Sequence, residues 1–92
     1  MIRNFRHKGL RLFFETGSLA GIRPDHAKRL QLILTRLEMA KAPEEMNLPG
    51  MGFHGLERTL KGHYAVRVIK NWRVTFRFSE SDAIDVNYRD YH

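Results

Sequence analysis

The chain has no cysteine among its 92 residues, so no disulfide can staple it and no thiolate can serve as nucleophile or metal ligand. That suits a reducing compartment, and a soluble cytoplasmic protein is the expectation. No apolar run approaches the length needed to cross a bilayer. Leu12-Phe13-Phe14 is too short, and too closely flanked by charge, to be a secretory core. There is no Walker-type phosphate loop, no Gly-rich dinucleotide turn and no Gly-x-Ser-x-Gly elbow, which removes the commonest routes to nucleotide hydrolysis, hydride transfer and acyl transfer. No His/Asp/Glu set shows metal-ligand spacing, so neither a metal nor another cofactor is expected. Internal repeats and low-complexity tracts are also missing.

Positive charge is abundant. Sixteen Lys and Arg against ten Asp and Glu give a formal charge of +6, a balance that favours polyanionic partners, nucleic acid first. The charges fall in blocks. Residues 1–11 carry Arg3, Arg6, Lys8 and Arg11 with no acid. Residues 53–78 carry Arg58, Lys61, Arg67, Lys70, Arg73 and Arg77 against Glu57 alone, and residues 79–92 reverse the sign with Glu80, Asp82, Asp85 and Asp90. A small basic domain can simply be well solvated, but this clustering favours a binding face.

Hydrophobic periodicity divides the single domain, residues 1–92, into helical and extended parts. Ile2 to Phe5 reads as an edge strand, and Lys8 to Glu15 as a short helix stopped by Gly17-Ser18. Pro24 opens the main helix, with Asp25 placed for its dipole and Ala27, Leu30, Ile33, Leu34 and Leu37 forming a core stripe. Pro43 ends it, and residues 42–52 read as a loop. From Phe53 the period becomes two. Tyr64, Val66 and Val68, then Trp72, Val74, Phe76 and Phe78, then Ile84, Val86 and Tyr88 define the apolar sides of three strands. A three-residue loop, Ile69-Lys70-Asn71, would pair Val68 with Trp72, with Asn71 a tolerable left-handed residue. It would gather Arg67, Arg73 and Arg77 on the opposite face. The expected fold is α+β: two N-terminal helices on one face of a curved antiparallel sheet, with cations on the other.

On that open face, arginine suits phosphate because its planar fork can bind two oxygens at once. Tyr91, Tyr64 or Phe53 could supply base stacking, and His63 falls at the margin. His7 and His26 read as surface residues, and Trp72 as core. His54 and His92 could act as base and acid in RNA transesterification, one taking the 2′-OH proton and the other protonating the 5′-oxygen. Either alone would more often be an ordinary surface residue. Such chemistry needs no metal where a cation stabilises the phosphorane.

The run Asn71-Trp72-Arg73-Val74-Thr75-Phe76-Arg77-Phe78, followed by Asp82-Ala83 and the closing Tyr88-Arg89-Asp90-Tyr91-His92, resembles HigB-type toxins of the RelE/ParE superfamily. Ile2 to Leu10 and Leu60 to Val66 match as well, so the resemblance spans nearly the whole chain. It implies a microbial-RNase-like fold and a bacterial toxin that cleaves mRNA on the ribosome without metal. It also implies a helix-turn-helix, HigA-like antitoxin that inhibits the toxin and represses their operon, with DNA contacted only through that complex. By position, His54, Arg73, Asp90, Tyr91 and His92 fall on the family's catalytic sites, with Arg58, Lys61, Arg67 and Arg77 as candidate RNA-binding cations. Where relatives often carry lysine, this chain has Glu57, so Arg58 or Lys61 would supply the charge. Two rivals follow from the same pattern: a ParE-like inhibitor of gyrase, which generally lacks the histidine cluster, and a catalytically weakened RNA- or antitoxin-binding module.

Overall fold

The computed structural model describes residues 1–57 and 60–91. Helix α1 spans Lys8–Thr16 and α2 spans Ala27–Met39, preceded by a 3-10 turn at Pro24–His26. Four strands follow: β1 at His54–Gly55, β2 at Tyr64–Ile69, β3 at Trp72–Ser79 and β4 at Asp82–Asp90, in the order β1-β2-β3-β4 with every pairing antiparallel. This is the expected α+β arrangement.

Each helix is bounded for a physical reason. The Nδ1 of His7 accepts the Leu10 N–H at 2.9 Å and caps α1, while Gly17 at φ +80° closes it in the left-handed conformation. Gly9 on α1 lies against the backbone of Gly21, where a Cβ would come within 2.3 Å of a carbonyl oxygen. Glycine there lets the connecting loop fold back onto the helix. The α2 stripe behaves as read: Leu30, Ile33, Leu34 and Leu37 are all buried.

The core lies between this stripe and the inner pleats of the sheet, where Val66, Val74, Phe76, Val86 and Tyr88 are buried. The 42–52 segment contributes more than a loop would. Its Pro43–Met46 turn and the residues beyond insert Met46 and Met51, both almost fully buried, into the core. The N-terminal segment runs parallel to β4 through bridges at Ile2–Ala83 and Phe5–Val86. It shields that edge without forming a continuous ladder.

Three local readings are corrected. The β2–β3 turn contains two residues, Lys70 and Asn71, and pairs Ile69 with Trp72. Lys70, at φ +51°, takes the left-handed position. The extra residue sits instead in a bulge at Val68, which restores Arg67 opposite Arg73, so the expected faces survive through a different device. In β4 a second bulge lies between the pairs Arg77–Ile84 and Thr75–Asn87, so Ala83 rather than Ile84 joins Val86 and Tyr88 in the core. Strict alternation cannot foresee a one-residue insertion of this kind. Finally, His26 is not a surface residue. It is 4% exposed, with Nδ1 and the Tyr88 hydroxyl 2.6 Å apart and its ring edge-on to Trp72. Burial holds the His26 imidazole below its ordinary pKa and pushes the Tyr88 phenol up. His7, half-buried and tied to its cap, is likewise lowered by burial.

Candidate active site

Register decides which side chains share the open face. Residues opposite one another in antiparallel strands point the same way, and those two apart on one strand do too. Arg67 pairs with Arg73, and Arg73 with Arg89, so three guanidinium groups stand in one row across β2, β3 and β4. The next row contains His54, Ala65, Thr75 and Asn87 on four successive strands. His54 thus shares a face with the arginine row, one row displaced. Arg89 was not among the residues expected to bind RNA. Its signal was present, because it sits two residues beyond Asn87 on the polar side of the β4 alternation.

The histidine on β1 is exposed and fixed in orientation. Its Nδ1 lies 3.0 Å from the Gly52 carbonyl oxygen. Only a protonated Nδ1 can donate to that acceptor, which leaves Nε2 of the neutral ring with the lone pair. Arg73 is oriented by its own turn: Nη1 donates to the Lys70 carbonyl at 2.6 Å and to the Trp72 carbonyl at 3.1 Å. Among the described residues, its Nε and Nη2 make no hydrogen bond.

The chain's end continues this face past β4. The Tyr91 N–H donates to the Asn71 carbonyl at 2.8 Å, and the Arg89 guanidinium lies 5.1 Å from the Tyr91 ring centroid. The Tyr91 hydroxyl is buried and makes no hydrogen bond among the described residues. Asp90 pairs with Trp72, which puts it on the helix-side pleat, away from Arg73, Arg89 and Tyr91. Arg58 and His92 fall outside the described residues. Lys61 is exposed and shares a depression with Gly55 and Glu57, immediately beside β1.

Two expectations about the open face change. Arg77 is not an uncompensated cation, because its Nε donates to Asp85 Oδ2 at 2.7 Å. That contact holds the Asp85 carboxyl below the usual carboxylate range. Phe53 and Tyr64 are not open stacking platforms. They stack on each other at 5.5 Å, and Tyr64 stacks in turn on the core residue Phe76. Among the described residues, no cluster of three or more His, Cys, Asp or Glu could hold a metal ion.

Residues 3–92 match the family described as the RelE-like toxin of the type II toxin-antitoxin system HigB. The chain is also 37% identical over 92 residues, the full length of both proteins, to a protein of Proteus vulgaris named Endoribonuclease HigB. The chain belongs to the HigB-like toxin family. For a HigB-like toxin the open face is the natural place to look for chemistry, since the helices occupy the other. No helix among the described residues is long and apolar enough to cross a membrane.

Proposed function

We propose that this HigB-like chain is an endoribonuclease that cuts mRNA on the ribosome by metal-independent transesterification, and that a helix-turn-helix antitoxin restrains it. The observation that carries the reading is the contact of His54 Nδ1 with the Gly52 carbonyl, which orients the ring on the face that also bears the Arg67–Arg73–Arg89 row. A lone pair at Nε2 suits removal of the 2′-OH proton. The freed oxygen attacks the adjacent phosphorus, the 5′-oxygen leaves with a proton, and a 2′,3′-cyclic phosphate remains. His92 is the proton donor in this scheme. Arg73 faces the phosphorane charge, and Tyr91 lines the same face. Asp90, on the helix-side pleat, is the acidic member of the proposed catalytic set. Arg67, Arg89, Lys61, Arg58 and, where Asp85 releases it, Arg77 contact flanking phosphates.

The relative's name supports RNA cleavage over gyrase inhibition. The test is cleavage of a programmed message on purified ribosomes, with transcript ends mapped, for the wild-type chain and for His54→Ala. Wild-type cuts ending in cyclic phosphate, reduced roughly 10²–10⁴-fold in the variant, are the expected result. Cutting that is unchanged in His54→Ala overturns the assignment of the base. Growth arrest with DNA damage and intact transcripts would favour a gyrase inhibitor, and no effect at all a binding module. Antitoxin restraint is checked by co-expression with the neighbouring helix-turn-helix protein, which should abolish cleavage.

A further inference from the structure

One cation of the helix layer is directed at the backbone. Arg29, on α2, reaches two carbonyl groups: Nη2 donates to Gly50 at 2.8 Å and to Arg67 at 3.1 Å, and Nε lies 3.4 Å from the same Arg67 oxygen. None of the ion pairs formed by the described residues involves it. The Arg67 carbonyl needs an outside donor for a physical reason. β1 is only two residues long, so β2 has no strand beside it past Ala65 on that edge. The Arg67 N–H turns instead to the Met51 carbonyl at 2.7 Å. Its carbonyl points the same way, as the two polar groups of one strand residue do, and Arg29 satisfies it.

The segment held in this way leads to His54. Gly50 and Gly52 have φ of +79° and +59°, and they flank Met51, whose side chain is buried in the core. Two glycines in the left-handed region leave the peptide groups around Met51 free to pivot unless each is held. Three donors hold them in succession. Arg29 donates to the Gly50 carbonyl, the Arg67 N–H to the Met51 carbonyl, and His54 Nδ1 lies 3.0 Å from the Gly52 carbonyl. Only the first donor is a side chain from the helix layer. Its loss frees the Gly50 peptide and the Arg67 carbonyl, while the Met51 side chain and the Arg67 N–H keep the segment docked. The consequence is a change of orientation and not of folding.

We propose that Arg29 is a positioning residue for His54, acting from α2 through the Gly50–Met51–Gly52 segment. Its guanidinium sets the Gly50 and Arg67 carbonyls, these set the path of the segment, and the Gly52 carbonyl sets the imidazole ring. The link to catalysis rests on the RNA-cleaving reading, which makes His54 the base, but the hold on the ring does not. A general base must stand within hydrogen-bond reach of the proton it takes, and a small misplacement slows the chemical step. That loss falls on kcat. A cation that instead bound the RNA equally in ground and transition states would raise KM and leave kcat alone.

The experiment joins imidazole nitrogen NMR of the full chain with the kinetics of message cleavage on purified ribosomes. In the neutral wild-type ring, His54 should show a protonated Nδ1. Arg29→Ala should move both His54 nitrogens toward a mixture of tautomers, because the Gly52 carbonyl no longer selects one. In the same variant kcat should fall roughly 10–10²-fold while KM stays within about twofold. Lys28→Ala removes the same charge from an exposed neighbour on α2 and should change neither reading. Arg29→Lys keeps the charge but not the planar fork, so it should restore part of both effects, and it carries the test where the alanine variant folds poorly. Unmoved His54 nitrogens in both Arg29 variants, a raised KM at constant kcat, or an equal loss from Lys28→Ala would each overturn the assignment. If the wild-type chain cuts no message, shifted nitrogens keep the hold of Arg29 on His54 and remove the nuclease alone. Nitrogens that stay put in a chain that cuts remove Arg29 and keep the nuclease.

Discussion

At one end of the open face, Arg67, Arg73 and Arg89 stand side by side on three strands with no acidic residue in their row. At the other end, Arg77 and Arg6 both reach toward Asp85, while Arg3 pairs with Asp82 at 3.1 Å. The two ends carry similar numbers of arginines and opposite electrostatic states. Along the chain the N-terminal basic block and the C-terminal acidic block look like separate features. In three dimensions the first lies parallel to β4, so the blocks neutralise one another. The field that a polyanion meets on this face therefore comes from β2, β3 and the end of β4. Charge read from sequence locates cations, but only register decides which remain uncompensated.

The largest effect that tests this contrast is on catalysis. Arg73→Ala should lower ribosome-dependent cleavage by roughly 10²–10³-fold, as for the loss of one charge-stabilising donor. Thermal stability should change by less than about 1 kcal/mol, because the side chain only touches nearby turn carbonyls. A comparable loss of cleavage from Arg77→Ala would erase the distinction between the two ends.

At the compensated end the expected effect is on folding. Asp85→Ala removes the acceptor of Arg77 and puts alanine into a left-handed bulge at φ +54°, so it should destabilise by roughly 1–2 kcal/mol in chemical denaturation. Asp85→Asn, which tolerates that backbone, should cost less. Equal costs would show that the ion pair, and not the bulge, dominates.

The same distinction explains how much could be read from sequence. The two helices, the three long strands, the core stripe of α2 and the faces of Arg67 and Arg73 follow from periodicity, which is a local property. What periodicity missed is non-local or depends on a single inserted residue. The Val68 and Asp85 bulges shift register without changing composition. The Asp85–Arg77 pair depends on the second bulge, and the burial of His26 depends on Tyr88, 62 residues away. At the site, sequence points to His54 and Arg73, and the fold brings both to one face. Arg89 joins them only through its pairing with Arg73, and Asp90 alternates to the opposite pleat.

Acid should act first on the helix side. Burial lowers the pKa of His26, so the unfolded chain binds a proton there more readily than the folded one. Its contribution to stability is therefore full above the ordinary value of about 6.5 and declines as pH falls from there toward the folded pKa. Asp85 is also lowered, mainly by Arg77, and its contribution persists until pH drops below about 4, then is lost through the folded pKa. Melting temperature should fall in two stages, with His26→Gln blunting the upper and Asp85→Asn the lower. A single stage untouched by His26→Gln would mean that the buried histidine titrates alike in both states.

The smallest effect is also the most direct comparison of the two ends. Binding of a single-stranded RNA releases counterions, and the slope of log K against log salt becomes shallower by about 0.7 for each phosphate the protein no longer neutralises. Arg67 faces solvent in the uncompensated row, and none of the ion pairs formed by the described residues involves it. Arg67→Ala should therefore reduce the slope by nearly the full amount. Arg77 already has Asp85 as a counterion, so Arg77→Ala removes a charge that the RNA never fully met, and the slope should fall by clearly less. The double variant Arg77→Ala/Asp85→Asn separates compensation from distance. With both partners neutral it should match the wild-type slope if the pair contributes no net field. Equal reductions from Arg67→Ala and Arg77→Ala would mean that RNA breaks the Arg77–Asp85 contact on binding, and that the two ends of the face act as one.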